Sequence, residues 1–171
     1  YDPTRTVASY LQAIEGKTAA LFATACRVGG IVGHLPRPQI EQLTSFGRHY
    51  GMAFQIVDDV LDVIATDEQL GKPAGHDIAE GIYNLPVLHA LEELGPDLGT
   101  LLGGPIDGPD LDTARRLVRT SKGVERSIDL ARTYIDQAID AVAPFGATPS
   151  AIALGGAASH LLIDLEAVLV A

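Results

Sequence analysis

Three aspartates in one short apolar run carry the clearest chemistry in this sequence. Residues 54–63, FQIVDDVLDV, set Asp58, Asp59 and Asp62 among Phe54, Ile56, Val57, Val60, Leu61 and Val63. On a helix turning about 100° per residue, with Asp58 at zero, Asp62, Gln55 and Asp59 fall at about 40°, about 60° and about 100°. Phe54, Ile56, Val57, Val60, Leu61 and Ile64 occupy the opposite arc, which predicts a buried face. At ~5 Å, each carboxylate pair repels by roughly 3 kcal/mol in an effective dielectric of ~20. A bound cation removes that cost, and a set of oxygen donors suits a hard ion such as Mg²⁺, which shares one or two carboxylates with a substrate phosphate. The alternative is a solvated acidic stripe. Gly47 and Gly51 continue the same face, and their missing side chains predict an opening along it, the wall of a cavity.

Basic and turn-forming residues supply a second set of candidates. Lys17 and Thr18 stand where EGKT precedes the apolar run AALFATA, a position suited to the first turn of a helix, where free N–H groups attract anions. The residues alone favour an exposed lysine and a capping threonine over a phosphate contact, and EGKT lacks the first glycine of a phosphate-binding P-loop. Lys72 lies in LGKPAGHDIAEG, residues 70–81, a turn-rich loop that follows the aspartates directly and is a candidate partner for them. Asp77 in that loop either joins a metal shell or caps a turn. His34 and His76 have no histidine partner at metal spacing, which argues against zinc. Cys26 reads as a small core residue.

The elements that must position these groups are helices. Period-3.6 patterning runs through the chain without strand alternation, so the class is all-α. The pattern predicts helices near 4–14, 17–34, 37–65, 83–94, 110–120, 122–143 and 148–169, with a flexible loop at GGPIDGPD, residues 103–110. A length of 171 residues with 47% hydrophobic composition predicts one domain over 1–171. A net charge of −10 argues against a nucleic-acid surface. The single cysteine and the absence of a signal-like opening suggest a reducing cytoplasm. The uncharged run 141–163 is interrupted by Pro144, Gly146, Pro149, Gly155 and Gly156, so an integral membrane span is not expected.

Taken together, GKT at 16–18, GMAFQIVDDVLDV at 51–63, LGKPAGHD at 70–77 and GIYNLPVLHAL at 81–91 resemble the trans-type polyprenyl diphosphate synthases, in the order and spacing of that family's second half. GVERSIDLARTYIDQAIDAV, residues 123–142, is similar to the family's penultimate helix. The resemblance implies an all-α bundle around a deep cavity, usually a homodimer, with two aspartate-rich motifs facing each other. Only the second motif is in this sequence. The implied activity is a Mg²⁺-dependent condensation of isopentenyl diphosphate with an allylic diphosphate, giving a longer trans-polyprenyl diphosphate.

In that reading Asp58 and Asp62, with Asp59, hold Mg²⁺, while Lys17 and Lys72 neutralise the diphosphate. Thr18 and Gln55 stand near the allylic cation and Phe54 near the second substrate. Ile82 and Asn84 depart from the Lys and Thr the family often has there, and the C-terminal DLEAVLVA is not basic. These departures keep open a non-catalytic regulatory or binding subunit; a terpene cyclase fits GKPAGHD less well. Tyr1 opens the sequence where a methionine would start a whole protein. Because only the second aspartate-rich motif is present and the sequence starts where the family's central helices are expected, the resemblance implies the C-terminal half of a longer enzyme, or what remains ordered of one, silent on its own.

Overall fold

The structure, a computed structural model, describes residues 2, 4–71 and 73–170 and contains helices with no strand among the described residues. In chain order the α-helices are α1 (Val7–Ile14), α2 (Ala20–Val32), α3 (Arg37–Ile64), α4 (Asp67–Leu70), α5 (His76–Ala79), α6 (Leu85–Leu94), α7 (Pro96–Leu101), α8 (Gly108–Thr120), α9 (Gly123–Val142) and α10 (Pro149–Val170). Local chemistry explains their ends. Prolines sit in the first turns of α6, α7 and α8, where a missing N–H costs no intrahelical bond. Thr66 and Gln69 form a reciprocal capping box at the start of α4, and Gly71, at φ 68°, closes it in the left-handed conformation.

The chain forms two compact units. One comprises Tyr1–Tyr10, Asp58–Asp129 and Leu165–Ala171. Its buried side chains include Val60, Val63, Ile78, Tyr83, Leu85, Val87, Leu98, Leu102 and Val118. Gly123 fits within it only because it has no side chain, since a Cβ there would stand 2.3 Å from the Pro86 carbonyl oxygen. The other unit comprises Leu11–Val57 and Leu130–Asp164. Its core gathers Phe46 and Ala53 of α3, Ile135, Ala138 and Val142 of α9 and Ala158 of α10, with Cys26 packed partly buried against them.

The structure corrects the sequence reading at several places. No helix starts at Lys17: α1 and α2 are joined through a π-helical segment, Glu15–Ala19, whose flanking residues Ile14 and Ala20 are both right-handed helical. Segment 70–81 is not all turn, because α5 lies within it, and α7 was not anticipated. Gly155 and Gly156 do not interrupt α10, since a glycine inside a helix lowers its stability without breaking it. Among the described residues, one helical stretch, Pro149–Leu169, is long and apolar enough by length and composition to cross a membrane. Its exposed side chains include Ile152 and Ile163.

Candidate functional site

The C-terminal end of α3 carries the three motif aspartates, and their environments differ. Asp58 is exposed. Asp59 is 5% and Asp62 4% exposed. Helix position alone does not impose this split, because Asp62 falls only about 40° from Asp58; Asp59 is covered by Tyr10 and Asp62 by the loop that follows the helix. A buried carboxylate must be met by donors. The Tyr10 hydroxyl of α1, itself 2% exposed, donates to Asp59 Oδ2 at 2.5 Å. Burial first, and then the Asp59 charge, push the Tyr10 phenol well above its ordinary value, so it stays a donor.

Asp62 is met from the following loop, as the placement of LGKPAGHD suggests. The Gly75 N–H donates to the Asp62 backbone carbonyl at 2.8 Å, and the Asp77 N–H to Asp62 Oδ2 at 3.3 Å. Asp77 does not stand alone in that loop. Asn84 Nδ2 donates to Asp77 Oδ2 at 3.2 Å and to the Asp59 carbonyl at 3.4 Å. Asn84 is 2% exposed, whereas Ile82 is 47% exposed, so the two departures in GIYNLP do different things. Arg5 Nη1 donates to the Tyr83 carbonyl at 3.0 Å. Its guanidinium lies 5.5 Å from the centre of the Tyr10 ring, which holds α1 beside Asp59. Lys72 lies outside the described residues.

In the other unit, Lys17 and Thr18 fall in the π-helical segment. Lys17 is exposed. Thr18 Oγ1 donates to Gln55 Oε1 at 2.7 Å, so these two predicted residues are brought together by a direct bond. The bond replaces the capping role expected of Thr18: with no helix end there, its hydroxyl is free to reach α3. Phe54 is 40% exposed, and its ring centre lies 5.5 Å from that of Phe22 and 6.3 Å from that of Tyr50.

Gly47 and Gly51 do not open a cavity wall. A Cβ on Gly47 would stand 2.5 Å from the Phe22 carbonyl oxygen, and one on Gly51 would stand 2.6 Å from the Ala19 Cα. The glycines let the Glu15–Val32 backbone close onto α3, and the space predicted above the helix is filled by backbone. A cavity of about 450 Å³ in this unit is lined instead by Glu15, Glu41, Thr44, Ser45, Arg48, His49, Met52 and Tyr134. Burial, then Arg48, lower the affinity of His49 for a proton.

Among the described residues, no three His, Cys, Asp or Glu side chains converge as a ready metal cage. Asp58 and Asp62 lie one helical turn apart on α3. Sequence reasoning missed Tyr10, Arg5 and Arg115. Arg115 had a signal: in LDTARRLV it recurs with Leu111, Ala114 and Val118 on the apolar side of α8, an unusual place for a charge unless it is paired.

The family described as polyprenyl synthetase matches residues 1–104. Heptaprenyl diphosphate synthase component 2 of Geobacillus stearothermophilus is 39% identical over 132 residues, 77% of this chain and 41% of that protein. Nonaprenyl diphosphate synthase of Mycobacterium tuberculosis is 38% identical over 136 residues, again 77% of this chain and 41% of that protein. The crystal structure of a polyprenyl synthase from Caulobacter crescentus, complexed with calcium and isoprenyl diphosphate, superposes with a TM-score of 0.88 at 35% identity, covering 94% of this chain and 50% of that one. The chain thus spans well under two thirds of these relatives, while the match to the solved structure reaches beyond residue 104.

Proposed function

The chain belongs to the polyprenyl synthetase family, and from that premise we propose that the full-length protein is a Mg²⁺-dependent prenyltransferase that joins isopentenyl diphosphate to an allylic diphosphate. The 171 residues then correspond to the C-terminal half of a polyprenyl synthase domain, in keeping with the 50% of the Caulobacter protein they cover. The observation that carries the reading is the exposed Asp58, on a helix turn where Asp59 is tied to Tyr10 and Asp62 is steered by the Asp77 amide.

Asp58 and Asp62 would hold Mg²⁺, which when bound supplies Lewis-acid polarisation and charge neutralisation at a departing diphosphate. Lys17 and Lys72 add fixed positive charge for the same anion. The allylic C–O bond breaks with its electron pair leaving on diphosphate. The double bond of isopentenyl diphosphate then attacks the allylic carbon, and loss of a proton restores a double bond in the longer chain. Thr18 and Gln55, locked by their mutual hydrogen bond, present fixed dipoles toward the allylic cation, and Phe54 packs the second substrate. In this reading Asp59 positions Tyr10 and α1 and is not an ion ligand. Homodimer assembly belongs to the same proposal and is supported by the exposed row Leu21, Val28 and Val32 on α2, an apolar stripe of the kind that marks association.

The test is incorporation of labelled isopentenyl diphosphate by the full-length protein with an allylic diphosphate and Mg²⁺. A longer labelled diphosphate, lost on adding a chelator, is the expected result. No product at any Mg²⁺ concentration would overturn the proposal in favour of a regulatory subunit.

A further inference from the structure

Arg115 is a long cationic side chain whose contacts reach both the aspartate helix and the loop that steers Asp62. Its Nη2 donates to the backbone carbonyls of Ala65 at 2.9 Å and Val63 at 3.3 Å. These are carbonyls at the end of α3, where the helix supplies no further N–H groups and a cation is favoured by the helix dipole. The methylene stem of the same residue runs against Gly75. A Cβ there would stand 2.4 Å from Arg115 Cδ and 3.1 Å from Cγ. Gly75 is held at φ 74°, and its N–H donates to the Asp62 carbonyl; two residues on, the Asp77 N–H donates to the Asp62 carboxylate.

One side chain therefore fixes where the aspartate helix ends, with its guanidinium, and where the loop returns, with its stem. Arg115 also leaves its buried Nε without a hydrogen-bond partner. An unmet buried donor costs stability, so arginine is not the residue that stability alone would select here, and such a local mismatch points to function.

We propose that Arg115 is a positioning residue for the aspartate site: through the α3 carbonyls and Gly75 it sets the Asp62 carboxylate for its ligand. The inference rests on the prenyltransferase reading for the identity of that ligand, and not for the positioning itself. Two measurements on the full-length protein separate the two. The first is amide hydrogen exchange. In Arg115→Met, which keeps the stem and removes the guanidinium, the Gly75 and Asp77 amides lose protection while those in the rest of the chain keep it. Protection unchanged at both amides would overturn the proposal whatever the protein catalyses.

The second measurement is Mn²⁺ binding followed by electron paramagnetic resonance. Arg115→Met weakens it about tenfold, as loss of an outer-shell partner does, and Arg115→Lys recovers part of the loss. Gly75→Ala, which pushes on the clamp from the loop side, weakens binding in the same direction. A purely structural role would lower the melting temperature of Arg115→Met and leave Mn²⁺ affinity equal to wild type, which would refute the positioning role. Equal Mn²⁺ affinity in Asp58→Asn and wild type would instead strike the prenyltransferase reading, and the exchange result would still decide the positioning role.

Discussion

The two units place their parts of α3 by different physics. In the unit holding Asp58–Asp129, position is set by directional bonds: Tyr10 to Asp59, the Asp77 amide to Asp62, Asn84 to Asp77. In the unit holding Leu11–Val57, it is set by close contact. Gly47 and Gly51 admit a neighbouring backbone, and Phe46, Tyr50 and Phe54 stack along the helix with centroid separations of 5.7 Å and 6.3 Å. Thr18 to Gln55 is a polar bond set within that packing. A bonded site should fail when a donor or a charge is removed, and a packed one when volume is added.

The largest effect should come from the exposed carboxylate. Asp58→Ala in the full-length protein is expected to lower turnover about a thousandfold, about 4 kcal/mol of transition-state stabilisation, with no shift in melting temperature because Asp58 is exposed. Steady-state kinetics and calorimetry on one preparation check both halves. The packed unit should respond to the opposite kind of change. Gly51→Val forces a branched side chain against Ala19, whose Cα would be 2.6 Å from the new Cβ, and should cost about 3 kcal/mol in urea unfolding. A loss below the scatter of the measurement would mean that α2 is not held by that contact.

Tyr10→Phe removes a buried donor from Asp59 and should cost about 1–3 kcal/mol. It also carries a pH signature. The folded-state phenol is raised above its ordinary value of 10.0, so the native state keeps a proton that the unfolded chain releases. That contribution is complete below pH 10 and is lost as pH rises above it. The wild-type stability curve should therefore fall more steeply above pH 10 than the Tyr10→Phe curve. The smallest effect is expected for Lys17→Ala. An exposed lysine sharing its task with other cations should raise the KM for the allylic diphosphate about fivefold, roughly 1 kcal/mol of one charge-assisted contact, without changing stability.

Helix periodicity made the all-α class and the span of α3 legible, with 37–65 expected and Arg37–Ile64 found. The aspartates were legible as a cluster because their types and spacing are local. Which of them faces solvent was not, because Tyr10 lies 49 residues away from Asp59 and nothing in FQIVDDVLDV specifies it. Gly47 and Gly51 misled for a related reason: a glycine pair looks the same in sequence whether it borders a void or a closely packed backbone. EGKT misled because the π-helical segment carries the chain through Lys17 without an end, and an apolar run resuming after a polar stretch looks like a new helix. Arg115 meets carbonyls 50 and 52 residues away, a distance that periodicity does not register.

Mn²⁺ binding to Asp58→Asn and Asp59→Asn, measured side by side on the full-length protein, tests the central division of the aspartate motif most directly. Both variants remove one charge from the same helix turn and preserve size, so a general loss of acidity affects them alike. Asp58 as an ion ligand and Asp59 as the anchor of Tyr10 predict that Asp58→Asn loses binding by about tenfold or more, while Asp59→Asn binds nearly as wild type and unfolds more easily. Equal loss in both variants, or a greater loss in Asp59→Asn with its stability intact, would contradict the account.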